Sequence, residues 1–235
     1  MTTQAAQTAF VFLVRHGQAA MPDEDGRYGL DSAELTERGI AQVQRLAGLL
    51  GSTPIQSLYC STMLRARQSA AILGEALGLS PVVLENLHEI DVGSFEGATL
   101  ELLRAKHPDF QPWIECSFFG RFPSRDFHHP ASLPFPHGED IYQMCARAVP
   151  AFVDMIGREL GRTCVFVGHA WLIQSLLCHV TQTPVSEYFR YAGSNASLNL
   201  VEVDGTGQGL LHLLNAGDML ADVAGGRLQA RRQPA

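Results

Sequence analysis

Short apolar runs recur along the chain and predict the strands of a sheet. Residues 10–14 and 163–167 form the two clearest runs, and each is almost wholly apolar. Such runs are too short for a free-standing helix and are typical of strands buried on both faces, as in the middle of a parallel sheet. Further strands are predicted at residues 57–60, 81–84, 197–203 and 209–214, the last two as a closing hairpin.

Apolar residues at helical spacing fill the segments between these strands. Behind a predicted N-cap at Thr36, the spacing runs through Ile40, Val43, Leu46, Ala47 and Leu50. Ser61 or Thr62 is predicted to cap the next helix. Further helices are expected at 99–106, from 138 onward and at 171–180. The alternation predicts a single α/β domain over residues 1–235, a three-layer sandwich whose mainly parallel central sheet is flanked by helices.

Three segments lack a regular period. Residues 21–32 are polar and are expected to form a loop over the strand ends, and residues 87–97 to form a structured loop. Residues 107–137 contain six prolines and six phenylalanines. Because so long an irregular segment in a compact domain is usually functional, we predict an inserted cap there. Residues 224–235 are small, polar and basic, and are expected to form a flexible tail.

Composition narrows the classes of function. The 235 residues carry a net charge of −7, which argues against a broad nucleic-acid surface. The five cysteines are odd in number and form no Cys-x-x-Cys pair, so reduced thiols are expected rather than disulfides or a zinc knuckle. No apolar run approaches the roughly 18 residues of a membrane span, and the start shows no leader pattern. We therefore expect a cytoplasmic protein that binds neither nucleic acid nor membrane.

Chemically active side chains follow the two buried strands. Residues 10–14 lead into Arg15-His16-Gly17-Gln18, and residues 163–167 lead into Gly168-His169. Because the carboxyl ends of parallel strands share one edge of a sheet, where ligands bind, these side chains should converge. An arginine offers a planar fork for phosphate, a neutral imidazole can act as a nucleophile, and a glycine lets the backbone approach a ligand closely.

Two further residues complete a candidate site for phosphoryl transfer through a covalent intermediate. Arg65 lies one turn into a helix that begins at a strand end, where backbone N–H groups favour phosphate. Glu89 lies in the loop after the third predicted strand. We predict His16 as the nucleophile, Arg15 and Arg65 as a cationic clamp, His169 as a further donor and Glu89 as the carboxyl for proton transfer.

Each assignment has a structural alternative. Arg65 could be a surface arginine paired with Glu75 or with solvent, and His169 could be a core histidine with both nitrogens satisfied. Glu89 could be an ordinary carboxylate beside Asp91 and Glu96. Four histidines in one segment could suggest a metal site: His107, His128, His129 and His137. Their spacing matches no common metal site, so we predict no metal and no cofactor.

The order of these motifs resembles the histidine phosphatase superfamily, in its phosphoglycerate-mutase-like branch. The matching segments are Leu13-Val-Arg-His-Gly-Gln18, Leu35-Thr-Glu-Arg-Gly39, Cys60-Ser-Thr-Met-Leu-Arg-Ala-Arg-Gln68, Leu87-His-Glu-Ile-Asp-Val-Gly-Ser-Phe-Glu-Gly97, Pro136-His-Gly-Glu-Asp140 and Val165-Phe-Val-Gly-His169. The resemblance implies that His16 is phosphorylated, that Arg15, Arg65 and His169 bind the phosphoryl group, and that Glu89 is the proton donor. The predicted substrate contacts are Arg15, Gly17, Gln18, Arg65, His169 and Ala170.

The departures from the family pattern concern substrate choice. Residues 19–22 read Ala-Ala-Met-Pro, where mutase members carry a polar residue followed by Trp-Asn. Residues 93–97 are similar to the phosphatase members, and the usual Ser-His-Gly is here Gly168-His169-Ala170. We therefore predict a metal-independent phosphomonoesterase of the histidine acid phosphatase type. It should act on a small phosphorylated metabolite or a phosphoprotein, and a dimer is the expected oligomer. The alternatives are a cofactor-dependent phosphoglycerate mutase and a non-catalytic phospho-ligand binding protein.

Overall fold

The framework of the molecule is a six-stranded sheet, seen in a computed structural model that describes residues 7–20, 31–107 and 131–216. The strands are β1 (Ala9–Arg15), β2 (Ser57–Ser61), β3 (Val82–Leu84), β4 (Thr163–Gly168), β5 (Leu198–Val203) and β6 (Gly209–Leu213). Their order across the sheet is β3-β2-β4-β1-β5-β6. The first four strands in this order are parallel, whereas β5 and β6 complete the sheet in antiparallel fashion. The mainly parallel sheet predicted from the sequence is confirmed.

The helices of the described segments follow the predicted alternation. They are α1 (Glu37–Leu50), α2 (Leu64–Leu77), α3 (Leu100–Lys106), α4 (Ile141–Glu159) and α5 (Ala170–Thr181). The Thr36 hydroxyl caps α1 as predicted by accepting the N–H of Gly39 at 3.0 Å. The predicted cap of α2 is wrong. The N-cap residue of α2 is Met63 with no side-chain bond, because Ser61 still belongs to β2 and its hydroxyl bonds elsewhere.

Helices cover both faces of the sheet. On β1, Val11 and Leu13 join a hydrophobic cluster with apolar residues of α3, α4 and α5. The alternate residues Phe12 and Val14 join a second cluster with residues of α1 and α2. Strand side chains alternate between faces, so a strand buried on both faces must be apolar throughout. The three-layer α/β sandwich is confirmed.

The inward face of α1 differs from the prediction by one position. Ile40 is 39% exposed, whereas Gly39 is buried and shares the inward face with Val43 and Leu46. A Cβ atom at Gly39 would overlap the carbonyl oxygen of Gln18. The contact position therefore requires glycine, and the larger side chain beside it points outward.

The predicted loops are accounted for in part. Residues 87–97 are structured, with 3₁₀ turns at Glu85–Leu87 and Gly93–Phe95. At the end of the predicted cap, Phe135 is 1% exposed and its ring lies 5.3 Å from that of Phe95, so this end belongs to the hydrophobic core. Residues 108–130 of the predicted cap, residues 21–30 of the predicted loop over the crevice and the predicted tail lie outside the described residues. Within the described segments, every helix is too short or too polar to cross a bilayer.

Candidate active site

The two motif histidines meet at the carboxyl ends of adjacent parallel strands. The register of β1 and β4 pairs Arg15 with Gly168, and the His16 N–H donates to the Gly168 carbonyl at 3.0 Å. The ring centroids of His16 and His169 are 5.2 Å apart. Residues 153 positions apart in the sequence are thus neighbours, because β1 and β4 lie side by side in the sheet.

The hydrogen bonds of His16 define which ring nitrogen is free to react. Nδ1 lies 2.7 Å from the Gly17 carbonyl oxygen, and Nε2 accepts the Nε–H of Arg65 at 3.2 Å. A carbonyl can only accept, so the proton resides on Nδ1 and the lone pair on Nε2. Burial, followed by the charges of Arg65 and Arg15, lowers the pKa of His16 well below its usual value. The imidazole is therefore neutral at pH 7, as nucleophilic attack requires.

The two predicted arginines differ in exposure. Arg65 is only 5% exposed, and besides its bond to His16 its Nη2 approaches the Met63 sulfur at 3.0 Å. The alternative of a surface arginine paired with Glu75 is therefore wrong. Arg15 is half-buried, and its Nη1 donates to the Gly193 carbonyl at 2.7 Å. Both guanidinium groups contribute to lowering the pKa of His16, which places their charge close to its ring.

His169 is fully buried, and only one of its two ring nitrogens has a hydrogen-bond partner among the described residues. Its Nε2 lies 2.7 Å from the Ser61 hydroxyl, whereas its buried Nδ1 has no hydrogen-bond partner among the described residues. A satisfied core histidine would pair both nitrogens. Burial, then Arg65, His16 and Arg15 in turn, lowers the pKa of His169 well below its usual value. The unpaired nitrogen favours the ligand-binding alternative over the core one.

Glu89 is tied to the start of α5, the helix that His169 precedes. Its Oε2 accepts the N–H of Trp171 at 3.1 Å, and its Oε1 accepts the N–H of Leu172 at 3.0 Å. Glu89 thus caps the N-terminus of α5, a role that the sequence analysis missed. The N-terminus of α5 thus binds the Glu89 carboxyl through the second and third residues after His169.

The competing carboxylates have partners of their own. Asp91 Oδ1 accepts the N–H of Gly93 at 2.7 Å, and Glu96 Oε1 lies 3.4 Å from the N–H of Asp31. Both bonds are exposed; the Asp91 bond is local to the loop, whereas Glu96 bonds to Asp31, 65 positions away in the sequence. Neither carboxylate reaches α5, so Glu89 is the best placed of the three.

The remaining predicted contacts surround the loop after β1. The Gly17 N–H donates to the Ser69 hydroxyl at 3.1 Å, and the Gln18 N–H donates to the Gln42 side chain at 2.9 Å. The Gln18 side-chain oxygen accepts the Thr36 hydroxyl at 3.1 Å, so part of this side chain is used to hold α1. Ala170 is the first residue of α5. These bonds fix the backbone that carries His16.

No cluster of three or more histidine, cysteine, aspartate or glutamate side chains suited to a metal occurs among the described residues. His107 packs its ring 4.9 Å from that of Phe95, so it is part of an aromatic contact. His128 and His129 lie outside the described residues.

Sequence reasoning missed Ser61 and the pair formed by Glu139 and Arg147, which holds the loop that carries Glu89. Ser61 is a polar residue at the carboxyl end of a buried strand, the same signal that identified His16. Glu139 stands in the matched motif at residues 136–140. Arg147 gives no signal in the sequence, because its contacts lie about 60 positions away and depend on tertiary packing.

Comparisons with known proteins agree with this geometry. The family model of the histidine phosphatase superfamily (branch 1) matches residues 11–216. The chain is 26% identical over 196 residues to phosphoserine phosphatase 1 of Hydrogenobacter thermophilus, covering 83% of this chain and 86% of that protein. It is 26% identical over 192 residues to "Probable phosphoglycerate mutase GpmB" of Yersinia pestis, covering 82% and 84%. Among solved structures, mycobacterial hydrolase 1 superposes with a TM-score of 0.73 at 26% identity, covering 89% of this chain and 99% of that one.

Proposed function

Since the chain belongs to the histidine phosphatase superfamily, we propose that it hydrolyses phosphomonoesters through a phosphohistidine formed on Nε2 of His16. The observation that carries this proposal is the state of the His16 ring. Its proton faces the Gly17 carbonyl, its lone pair is on Nε2, and burial beside Arg65 and Arg15 lowers its pKa. A ring held in this way is a nucleophile near neutral pH.

The first half-reaction transfers the phosphoryl group to the protein. Once the phosphoryl oxygens take over the Nε–H of Arg65 that His16 accepts in the free protein, Nε2 of His16 attacks phosphorus in line with the leaving oxygen. An N–P bond forms as the P–O bond to the substrate breaks. Arg15, Arg65 and His169 donate to the equatorial oxygens, where charge is greatest in the transition state. Glu89 gives its proton to the departing oxygen, which leaves as an alcohol.

The second half-reaction releases phosphate. A water molecule attacks the phosphohistidine while Glu89, now a carboxylate, takes a proton from it. The N–P bond breaks, and His16 returns to the neutral form with its lone pair on Nε2. The cationic clamp serves both steps because the charge on the transferred group is the same in each.

A phosphoglycerate mutase would return the phosphoryl group to a sugar-acid hydroxyl instead of to water. Relatives named as mutases keep this alternative open. The Ala-Ala-Met-Pro sequence at residues 19–22 and the phosphatase-like residues 93–97 favour hydrolysis. A purely binding protein would need no nucleophile, yet the chain retains His16 and Glu89.

The proposed substrate is a small phosphorylated metabolite, with a phosphoprotein as the alternative. The proposed enzyme is a metal-independent dimer of the acid phosphatase type.

The covalent step is tested by trapping. Brief exposure to a ³²P-labelled phosphomonoester, followed by an alkaline quench, should leave acid-labile label on the wild-type protein and none on His16→Ala. His16→Ala should keep its circular dichroism spectrum and lose turnover. Phosphatase activity above a trace in this variant would falsify the covalent mechanism. A parallel assay of phosphate exchange between 2- and 3-phosphoglycerate separates mutase from phosphatase.

The acid role of Glu89 is tested with two leaving groups. With an alkyl phosphate, Glu89→Gln should slow the first step by about 10²–10⁴-fold, because the alkoxide is a strong base. With nitrophenyl phosphate the leaving group needs no proton, so His16 should still be phosphorylated while water attack lacks its base. Rapid mixing should then show a nitrophenol burst near one equivalent per site. Equal slowing of both substrates without a burst would transfer the role to Asp91 or Glu96.

A further inference from the structure

Arg147 of α4 is bonded to the loop that carries Glu89. Its Nη1 donates to the carbonyl oxygens of Asn86 and His88, each at 3.0 Å. Its Nη2 donates to the carbonyl of Glu89 at 2.8 Å. The guanidinium thus binds three backbone carbonyls within four residues, which fixes the path of the loop just before the proposed proton donor.

Glu139 holds the guanidinium in place. Its Oε1 and Oε2 accept Nε and Nη2 of Arg147, each at 2.7 Å, in a bidentate pair. Burial opposes the charge of Glu139, but the hydrogen bonds from Arg147 and from the Asp91 N–H outweigh it and lower the pKa of Glu139. The side chains of Arg147 and Glu139 are only 18% and 20% exposed. A bidentate pair with little exposure is rigid in a way that an exposed pair is not.

The two ends of Glu89 are therefore held from different sides. Its carboxyl accepts the N–H groups at the start of α5, and its carbonyl accepts Arg147 of α4. We propose that the pair Glu139–Arg147 is a positioning device that sets the Glu89 carboxyl for proton transfer. This inference rests on the proposed function, because it assigns a purpose to Arg147 only if Glu89 is the acid and base.

A positioning role makes a prediction that a merely structural role does not. A displaced Glu89 impairs proton transfer to the leaving group, so the loss depends on how much that group needs a proton. A loss of folded protein instead lowers the rates with all substrates by the same factor. The ratio of the rates at which an alkyl phosphate and nitrophenyl phosphate phosphorylate His16 separates the two, because only this first step depends on the leaving group.

The experiment uses the full chain with three variants, Arg147→Gln, Arg147→Lys and Glu139→Gln. The control is Arg158→Gln on the same helix, where an exposed arginine pairs with Asp154 four residues away. We expect Arg147→Gln to lower kcat for an alkyl phosphate by about 10²-fold, with KM and the nitrophenyl burst rate within about threefold of wild type. Arg147→Lys and Glu139→Gln should give the same pattern with smaller losses, and the control should match wild type.

Two measurements decide between the outcomes. Urea unfolding identifies which variants are folded. If Arg147→Gln is unfolded, Glu139→Gln takes its place in the comparison of substrates, because glutamine keeps the shape of the glutamate side chain. An equal loss in the rate of His16 phosphorylation by both substrates, in every folded variant, overturns the positioning role. Glu89→Gln measured alongside provides the reference: if wild type forms no phosphohistidine, or Glu89→Gln shows no dependence on the leaving group, it is the proposed function that fails.

Discussion

At the residue scale, two buried histidines are groups whose positive charge the fold opposes. His16 and His169 both lie within the field of Arg15 and Arg65 and away from water, and the pKa of each is lowered well below its usual value. In the unfolded chain each would titrate near pH 6.5. The unfolded state therefore binds protons at mildly acidic pH that the folded state does not.

The sign of the resulting pH effect follows from proton linkage. Above about pH 6.5 the histidines are neutral in both states and contribute no pH dependence. As the pH falls below 6.5, only the unfolded chain gains protons, so the free energy of unfolding decreases. A histidine that stays neutral in the folded protein over the whole range removes about 1.4 kcal/mol between pH 7.5 and pH 5.5, the largest loss that one such group can cause. Urea unfolding at both pH values should show a smaller loss for His16→Gln and for His169→Gln than for wild type; identical losses would contradict the lowered pKa values.

The residues of the site differ in how far the sequence could predict them. His16, Arg15 and His169 were identified because they directly follow buried strands, and strand ends meet at one edge of a parallel sheet. The cap formed by Glu89 on α5 could not be foreseen, since it depends on how a loop after an edge strand folds back over the sheet. Arg147 could not be predicted either, because its bonds to the loop that carries Glu89 also depend on how that loop folds back.

At the element scale, α1 contacts the site through a glycine. Gly39 lies against the carbonyl of Gln18, and in return a Cβ atom at Gly17 would lie 2.5 Å from the carbonyl oxygen of Gly39. The loop with the proposed nucleophile and the first turn of α1 thus lie so close together that neither glycine has room for a Cβ atom. The spacing of apolar side chains gives no sign of a contact made by a glycine backbone. The spacing therefore predicts Ile40 on the inward face, where the structure has Gly39.

This contact predicts opposite effects for two glycines of the same helix. Gly39→Ala should destabilise the fold by about 1–3 kcal/mol, because the new methyl group must displace the Gln18 backbone. Gly48→Ala should stabilise it by about 1 kcal/mol, since its Cβ meets no atom within 4 Å and alanine favours the helix. Thermal unfolding checks both, and turnover should fall only in Gly39→Ala. Stabilisation by both substitutions would mean that the contact is not tight.

Strands were predicted better than helix ends. β1 and β4 are buried on both faces, so their sequences are continuous apolar runs of the length that is typical of such strands. β3 is an edge strand of three residues with Val82 and Val83 exposed, and its sequence signal is weaker. The predicted start of α2 is wrong because Ser61 belongs to β2. Its hydroxyl lies 2.7 Å from Nε2 of His169 and accepts the N–H of Met63, the N-cap residue, at 3.4 Å, so it does not itself occupy the N-cap position.

At the scale of the whole molecule, a net charge of −7 surrounds a cationic centre formed by Arg15 and Arg65. Two guanidinium groups can neutralise the phosphoryl oxygens, a task that metal ions perform in other phosphatases. We expect activity to survive dialysis against EDTA, with kcat and KM unchanged. Loss of activity that added zinc or magnesium restores would contradict the proposed clamp.

The order of the strands has a consequence for how the protein is made. β1 neighbours β4 and β5, whose paired residues lie about 150 and about 190 positions further along the chain. During synthesis, β1 has no neighbouring strand on either edge until residues 163–168 of β4 have left the ribosome. Its apolar run is available for aggregation during that interval. The proposed catalytic centre therefore assembles only after β4 has been made, and nascent chains stalled before β4 should depend on chaperones to remain able to fold.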